Sequence, residues 1–260
     1  MLHAIDPVFA VSGLIVGLLV GFTGVGGGSL MTPLLVLVFG VHPATAVGTD
    51  LLYAGVTKIG GATVHACHRS VDWRITRRLA YGSVPAALLS LLLLAHLGST
   101  SKQSGGIIST TLGVALIMTA LTLTFRKALL TRLARLMDGA SERRIGALTV
   151  VLGVVLGVLV TISSVGAGAI GTTILLTLYP RSPIVRIVGS DIAHAVPLTL
   201  IAGAGHWWLG SVDVHMLVSL LAGSIPGIII SSHFASRVPD RVLRPILAGT
   251  LAVVGGRLAF

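Results

Sequence analysis

Apolar residues in this chain gather into long runs separated by short polar clusters, many of them basic. An apolar helix needs about 20 residues to cross the hydrocarbon core of a bilayer. Six runs meet that length: 44–65, 75–95, 106–125, 187–207, 214–233 and 242–259. Two more, 7–39 and 146–179, are too long for one helix and short for two. Each carries a glycine-rich break near its middle, Thr23-Gly24-Val25-Gly26-Gly27-Gly28-Ser29 and Ser163-Ser164-Val165-Gly166-Ala167-Gly168-Ala169. Both runs are therefore predicted to be hairpins of short helices.

The two hairpins are copies. Gly157 to Pro183 lies over Gly17 to Pro43 with both breaks in register. After a one-residue shift, Gly48-Thr49-Asp50 matches Gly189-Ser190-Asp191, and His65 matches His206. Ser70-Val71-Asp72 matches Ser211-Val212-Asp213, and Gly82-Ser83-Val84-Pro85 matches Gly223-Ser224-Ile225-Pro226. The chain is predicted to be an internal duplication. Residues 1–125 make a first repeat of hairpin 7–39 and spans 44–65, 75–95 and 106–125. A basic linker, 126–145, leads to a second repeat, 146–260, of hairpin 146–179 and spans 187–207, 214–233 and 242–259.

Composition agrees with a membrane solvent. Of 260 residues, 54% are hydrophobic and 10% charged, against roughly 25% charged in soluble domains. A net charge of +10 with 5% aromatic residues leaves too few stacking platforms for nucleic acid. Topology explains the charge better, because cytoplasmic loops collect Lys and Arg. Fifteen of the 18 basic residues fall in four segments, 66–78, 126–144, 181–186 and 235–244. Placing these on the cytoplasmic side makes the halves antiparallel in the membrane. The predicted fold class is thus all-α and polytopic, with two inverted-topology repeats, a scaffold typical of secondary transporters. The linker suits either an amphipathic segment on anionic lipid or a simple loop. The first 57 residues hold no Lys or Arg, so no cleavable signal peptide is expected. The single cysteine, Cys67, permits no intrachain disulfide and no multi-cysteine metal site.

Candidate chemistry sits at membrane depth. A broken helix presents unpaired N–H groups and a positive dipole end, which suit an anion. Thr23, Gly24, Gly26, Gly27, Gly28, Ser29, Ser163, Ser164, Gly166 and Gly168 are the resulting substrate-binding candidates; tight packing through small residues is the competing account. Gly166-x-Gly168-x-x-Gly171 matches a dinucleotide fingerprint, but its flanks are membrane spans, not a βαβ unit. Asp50 and Asp191 are intramembrane carboxylates at equivalent places, for which proton coupling and capping of a half-helix compete. Thr49 and Ser190 beside them can hydrogen-bond in either role. Lys58, the one basic residue well inside a span, suits contact with substrate or with Asp50. His194, near Asp191, is a proton-relay candidate, while His65 and His206 lie near span ends. Trp207 and Trp208 fit an interfacial anchor, and Pro85 and Pro226 fit equivalent kinks. No metal or cofactor is expected.

At Gly17-Leu-Leu-Val-Gly-Phe-Thr-Gly-Val-Gly-Gly-Gly-Ser29, Pro33 and Pro43-x-x-Ala-Val-Gly-Thr-Asp50, the chain resembles the TauE/SafE family of membrane permeases, the sulfite exporters. Ser164-Val-Gly-Ala-Gly168 and Val188-Gly-Ser-Asp191 form a similar second copy. The resemblance implies export or permeation of sulfite, organosulfonates or related sulfur-containing anions across the cytoplasmic membrane. Composition and spacing reach only an anion-compatible transporter, with the bilayer and a small anion as partners. A passive anion channel remains an alternative. An intramembrane enzyme is disfavoured, since neither a His-Glu-x-x-His pair nor a Gly-x-Ser-x-Gly elbow occurs.

Overall fold

A computed structural model describes residues 5–23, 28–67, 69–98, 102–137, 139, 141–234 and 240–259. Among the described residues there are eleven helices and no strand: α1 (Pro7–Thr23), α2 (Gly28–Leu37), α3 (Pro43–Cys67), α4 (Trp73–Leu97), α5 (Lys102–Thr124), α6 (Arg126–Met137), α7 (Glu142–Ser163), α8 (Ala169–Leu178), α9 (Ile184–Trp208), α10 (Val214–Phe234) and α11 (Asp240–Ala259). Helix is the one open structure that satisfies its own backbone in hydrocarbon. Five of these helices, α4, α5, α7, α9 and α10, are long and apolar enough to cross a membrane. At 1.5 Å per residue, the 25 residues of α4 reach roughly 37 Å, past the bilayer's apolar core. The ten-residue α2 and α8 reach only about 15 Å, half of it.

The molecule is apolar outside, and its largely apolar core also buries polar and charged groups. Leu88, Leu89, Leu92 and Leu93 of α4, Val151 and Val154 of α7, and Ile229 and Ile230 of α10 are exposed. Asp50, Asp191, His194 and His206 are buried along with many Ser and Thr. In water the outer face would be an aggregation hazard; in lipid it is solvated.

The halves interleave. α1 packs along α10 and α7 along α4, while α3 crosses α9 and α5 lies on α11. Small residues allow the close approaches. A Cβ on Gly13 would stand 2.2 Å from the Leu220 carbonyl oxygen, and one on Gly153 the same 2.2 Å from that of Leu79. Contacts of Gly13 and Gly17 with Leu220 and Ser224, and of Gly153 and Gly157 with Leu79 and Ser83, make both pairs parallel. In contrast, Gly48 meets His206, Gly203 meets Leu52 and Gly55 meets Leu200. α3 and α9 therefore run antiparallel.

Helix ends are defined by polar caps. Asp72 accepts from the Arg74 N–H at 3.0 Å to start α4, and Asp213 accepts from the Met216 N–H at 2.9 Å in the first turn of α10. Ser141 caps α7, with Glu142 in its first turn, where an anion favours the helix dipole. The basic linker segment contains α6, which packs against α8.

Candidate functional site

The second glycine-rich break is unwound. α7 ends where Ser164 turns left-handed (φ 59°), and its N–H returns to the Val160 carbonyl at 2.8 Å. Gly166 (φ 124°) and Gly168 (φ 114°) follow in conformations that strain any side chain. Gly168 then caps α8 with no side-chain hydrogen bond, and the Gly171 N–H returns to the Gly166 carbonyl at 3.3 Å, so the positive dipole end of α8 lies at the break, with the Gly168 N–H toward Asp191. Ser163 does not face outward from the break: its hydroxyl donates to the Leu159 carbonyl at 2.6 Å. In the first break, Gly24, Gly26 and Gly27 lie outside the described residues. Thr23 is the last residue of α1, and Gly28 and Ser29 open α2.

Two buried carboxylates meet the half-helices in the same manner. Thr172 of α8 donates its hydroxyl proton to Asp191 Oδ2 at 2.9 Å. Thr32 of α2 donates to Asp50 Oδ2 through a short bond. The other oxygen of each carboxylate, Oδ1, is buried with no hydrogen-bond partner among the described residues. A Cβ on Gly171 would stand 2.6 Å from Asp191 Oδ1, so this carboxylate lies directly against the first turn of α8. Ser164, at the unwound end of α7, lies beside Asp50 with its hydroxyl toward the carboxylate. Thus the second break touches the aspartates of both repeats.

Lys58 joins them. Its ammonium acts electrostatically on both Asp50 and Asp191, yet it makes no ion pair within 4.0 Å among the described residues. Unlike the aspartates, it keeps partial accessibility. Lys58 also acts on His194, whose Nε2 is hydrogen-bonded to Ser83 Oγ at 2.7 Å and whose Nδ1 is buried without a partner. The equivalent pair in the other half is Tyr53 and Ser224, with 2.6 Å between hydroxyl oxygens. One frame thus holds an imidazole at one position and a phenol at the other.

Thr49 and Ser190 serve elsewhere. The Asp213 N–H donates to Thr49 Oγ1 at 3.0 Å, and the Asp72 N–H donates to Ser190 Oγ at 2.8 Å. Each hydroxyl, one residue before a buried aspartate, holds the opposite half's interhelical turn. The approach is close because Gly48 packs on the Ser211 carbonyl and Gly189 on that of Ser70. These two clasps sit near the N-termini of antiparallel α3 and α9, hence at opposite ends of the pair. His65 Nδ1 is bound to Ser70 Oγ at 2.8 Å, whereas His206 Nε2 meets the Thr161 carbonyl at 3.0 Å.

Asp50, Lys58, Ser164, Asp191 and His194 are therefore brought together, and Thr49, Ser163 and Ser190 are turned to structural tasks. Thr32, Tyr53, Ser83 and Thr172 were not singled out in the sequence. The duplication carried the signal: Thr32 and Thr172 occupy equivalent positions just beyond the two breaks.

A helical bundle with this lipid-compatible surface and with carboxylates and histidines buried in its core is a polytopic α-helical membrane protein. The sulfite exporter TauE/SafE family model matches residues 9–258, and the chain belongs to that family. It is 38% identical over 250 residues to the probable membrane transporter protein YjnA of Bacillus subtilis (strain 168), covering 95% of this chain and 96% of that one. The probable membrane transporter protein YdhB of the same strain is 28% identical over 253 residues, covering 95% and 97%. The probable membrane transporter protein MJ0441 of Methanocaldococcus jannaschii is 25% identical over 266 residues, covering 96% and 93%. No solved structure matches the chain. The protein is a multi-pass membrane transporter.

Proposed function

We propose that the protein is a secondary transporter that moves small sulfur-containing oxyanions, such as sulfite or organosulfonates, across the cytoplasmic membrane by alternating access with proton coupling. One observation carries this reading: an unwound, glycine-rich segment lies against Asp50 and Asp191, with Lys58 acting on both. Main-chain N–H groups at the start of α8 and the Lys58 ammonium supply the positive field an anion needs in a low-dielectric interior. Membership of the sulfite exporter family supports sulfite as the starting substrate.

In this reading, residues 1–125 and 146–260 are inverted repeats joined by the linker 126–145. The antiparallel α3 and α9, and the parallel pairs α1 with α10 and α4 with α7, are what such an inversion requires. Basic segments 66–78, 126–144, 181–186 and 235–244 face the cytoplasm. The Asp72–Ser190 and Asp213–Thr49 clasps close the two ends of the α3/α9 pair. Opening one at a time exposes the site to one side of the membrane.

Flux into proteoliposomes tests this. Saturable uptake with counterflow of labelled sulfite is expected, and a non-saturating conductance would favour a passive channel. Lys58→Met is expected to raise the half-saturating anion concentration at least about tenfold, the value of a single lost charge contact of roughly 1.4 kcal/mol. Unchanged affinity would remove Lys58 from the substrate path.

A further inference from the structure

Resting on that anion site, we infer that the carrier takes up one proton with each monoanion and that the carboxylates of Asp50 and Asp191, the two that face Lys58, are where this proton is held. The argument is a charge count among buried groups. The charged side chains at the site are Asp50 and Lys58 on α3 and Asp191 on α9. Two further titratable groups face them, Tyr53 on α3 and His194 on α9. From α2, α4, α7 and α8, the described contributions are the hydroxyls of Thr32, Ser83, Ser164 and Thr172.

With both carboxylates ionised, the three charges sum to minus one. A monoanion arriving alone would bring the cluster to minus two in a poorly screened interior. A proton arriving with it restores minus one. Loaded and empty carriers then present the same net charge, and neither is penalised more than the other during the conformational change.

The geometry shows where the proton goes. Each aspartate has Oδ2 engaged by a threonine hydroxyl and Oδ1 buried without a partner. A proton on Oδ1 leaves the threonine bond in place. Lys58, which has no direct ion pair among the described residues, is then released from one of its two opposing charges and can turn to the anion. His194 is set apart from the aspartates by its Ser83 partner on Nε2, and the variant His194→Gln tests it as the alternative proton holder.

The experiment uses the full-length chain in liposomes with labelled 2-hydroxyethanesulfonate. This probe stays singly charged between acidic and neutral pH, so any pH dependence belongs to the protein; sulfite changes charge in that range. Apparent affinity is expected to rise as pH falls, by up to about tenfold per pH unit. A pH gradient is expected to drive accumulation that a membrane potential alone does not alter. In the double variant Asp50→Asn/Asp191→Asn the pH slope and the gradient-driven accumulation should both vanish, whereas His194→Gln should retain the slope. If the double variant does not fold, the wild-type slope and voltage response decide the matter. Sulfonate transport with a flat pH profile, a voltage-driven flux, or a slope lost in His194→Gln overturns the carboxylate-held proton while leaving the anion carrier standing. Failure to move sulfonate or sulfite at any pH overturns both.

Discussion

At the scale of single residues, the site is defined by hydroxyls as much as by charges. A buried carboxylate costs less when a donor is held in place for it, and Thr32 and Thr172 are fixed on half-helices for that task. Thr172→Val keeps the side-chain shape and removes the donor. Loss of about 1–3 kcal/mol is expected, read as a lower melting temperature in detergent, with slower anion flux. Gly249→Ala, a helical position where a Cβ meets nothing within 4 Å, serves as the neutral comparison. Asp50, Asp191 and Lys58 stood out in the sequence because charges in apolar runs are rare. Their threonine partners did not, since Thr is unremarkable in such runs and its role depends on which neighbour it faces.

At the scale of elements, the unwound second break was visible in the chain itself. Gly166 and Gly168 occupy positive-φ positions, the conformation for which glycine is the default residue. The pairing of helices was not visible. The duplication alone suggests two bodies side by side, whereas α1 lies on α10 and α7 on α4. Glycines at 13, 82, 153 and 223 are compatible with any close neighbour, and only the three-dimensional contacts say which. The turns show the same limit. Asp72 and Asp213 were evident as repeat mates, but their N–H bonds to Ser190 and Thr49 span the two halves. Ser190→Ala should speed amide exchange in the Asp72 turn and leave the Asp213 turn protected; Thr49→Ala should do the reverse. Exchange measured by mass spectrometry that changes equally in both turns would show that the clasps do not open separately.

At the scale of the whole molecule, the broad apolar outer surface points to lipid as its solvent, and charge asymmetry predicts the orientation. The lone cysteine gives a direct check, because Cys67 is exposed at the end of α3, within the first basic segment. A membrane-impermeant maleimide is expected to modify it in inside-out vesicles and to spare it in right-side-out ones. Modification from the outside would reverse the topology and exchange the two faces of the carrier. Such labelling leaves the interior chemistry untouched, since Cys67 contributes no contact to the aspartate cluster.

The interleaving has a consequence for biogenesis. The Asp6 N–H, just ahead of α1, finds its acceptor on Ser219 of α10 at 2.9 Å, a residue made 213 positions later. While the ribosome is still translating the second half, α1 must wait in the bilayer with its small-residue groove against lipid, and contacts of such long range form slowly. Severing the chain at the linker should therefore yield fragments that are degraded when made singly and that assemble into a working transporter when produced together.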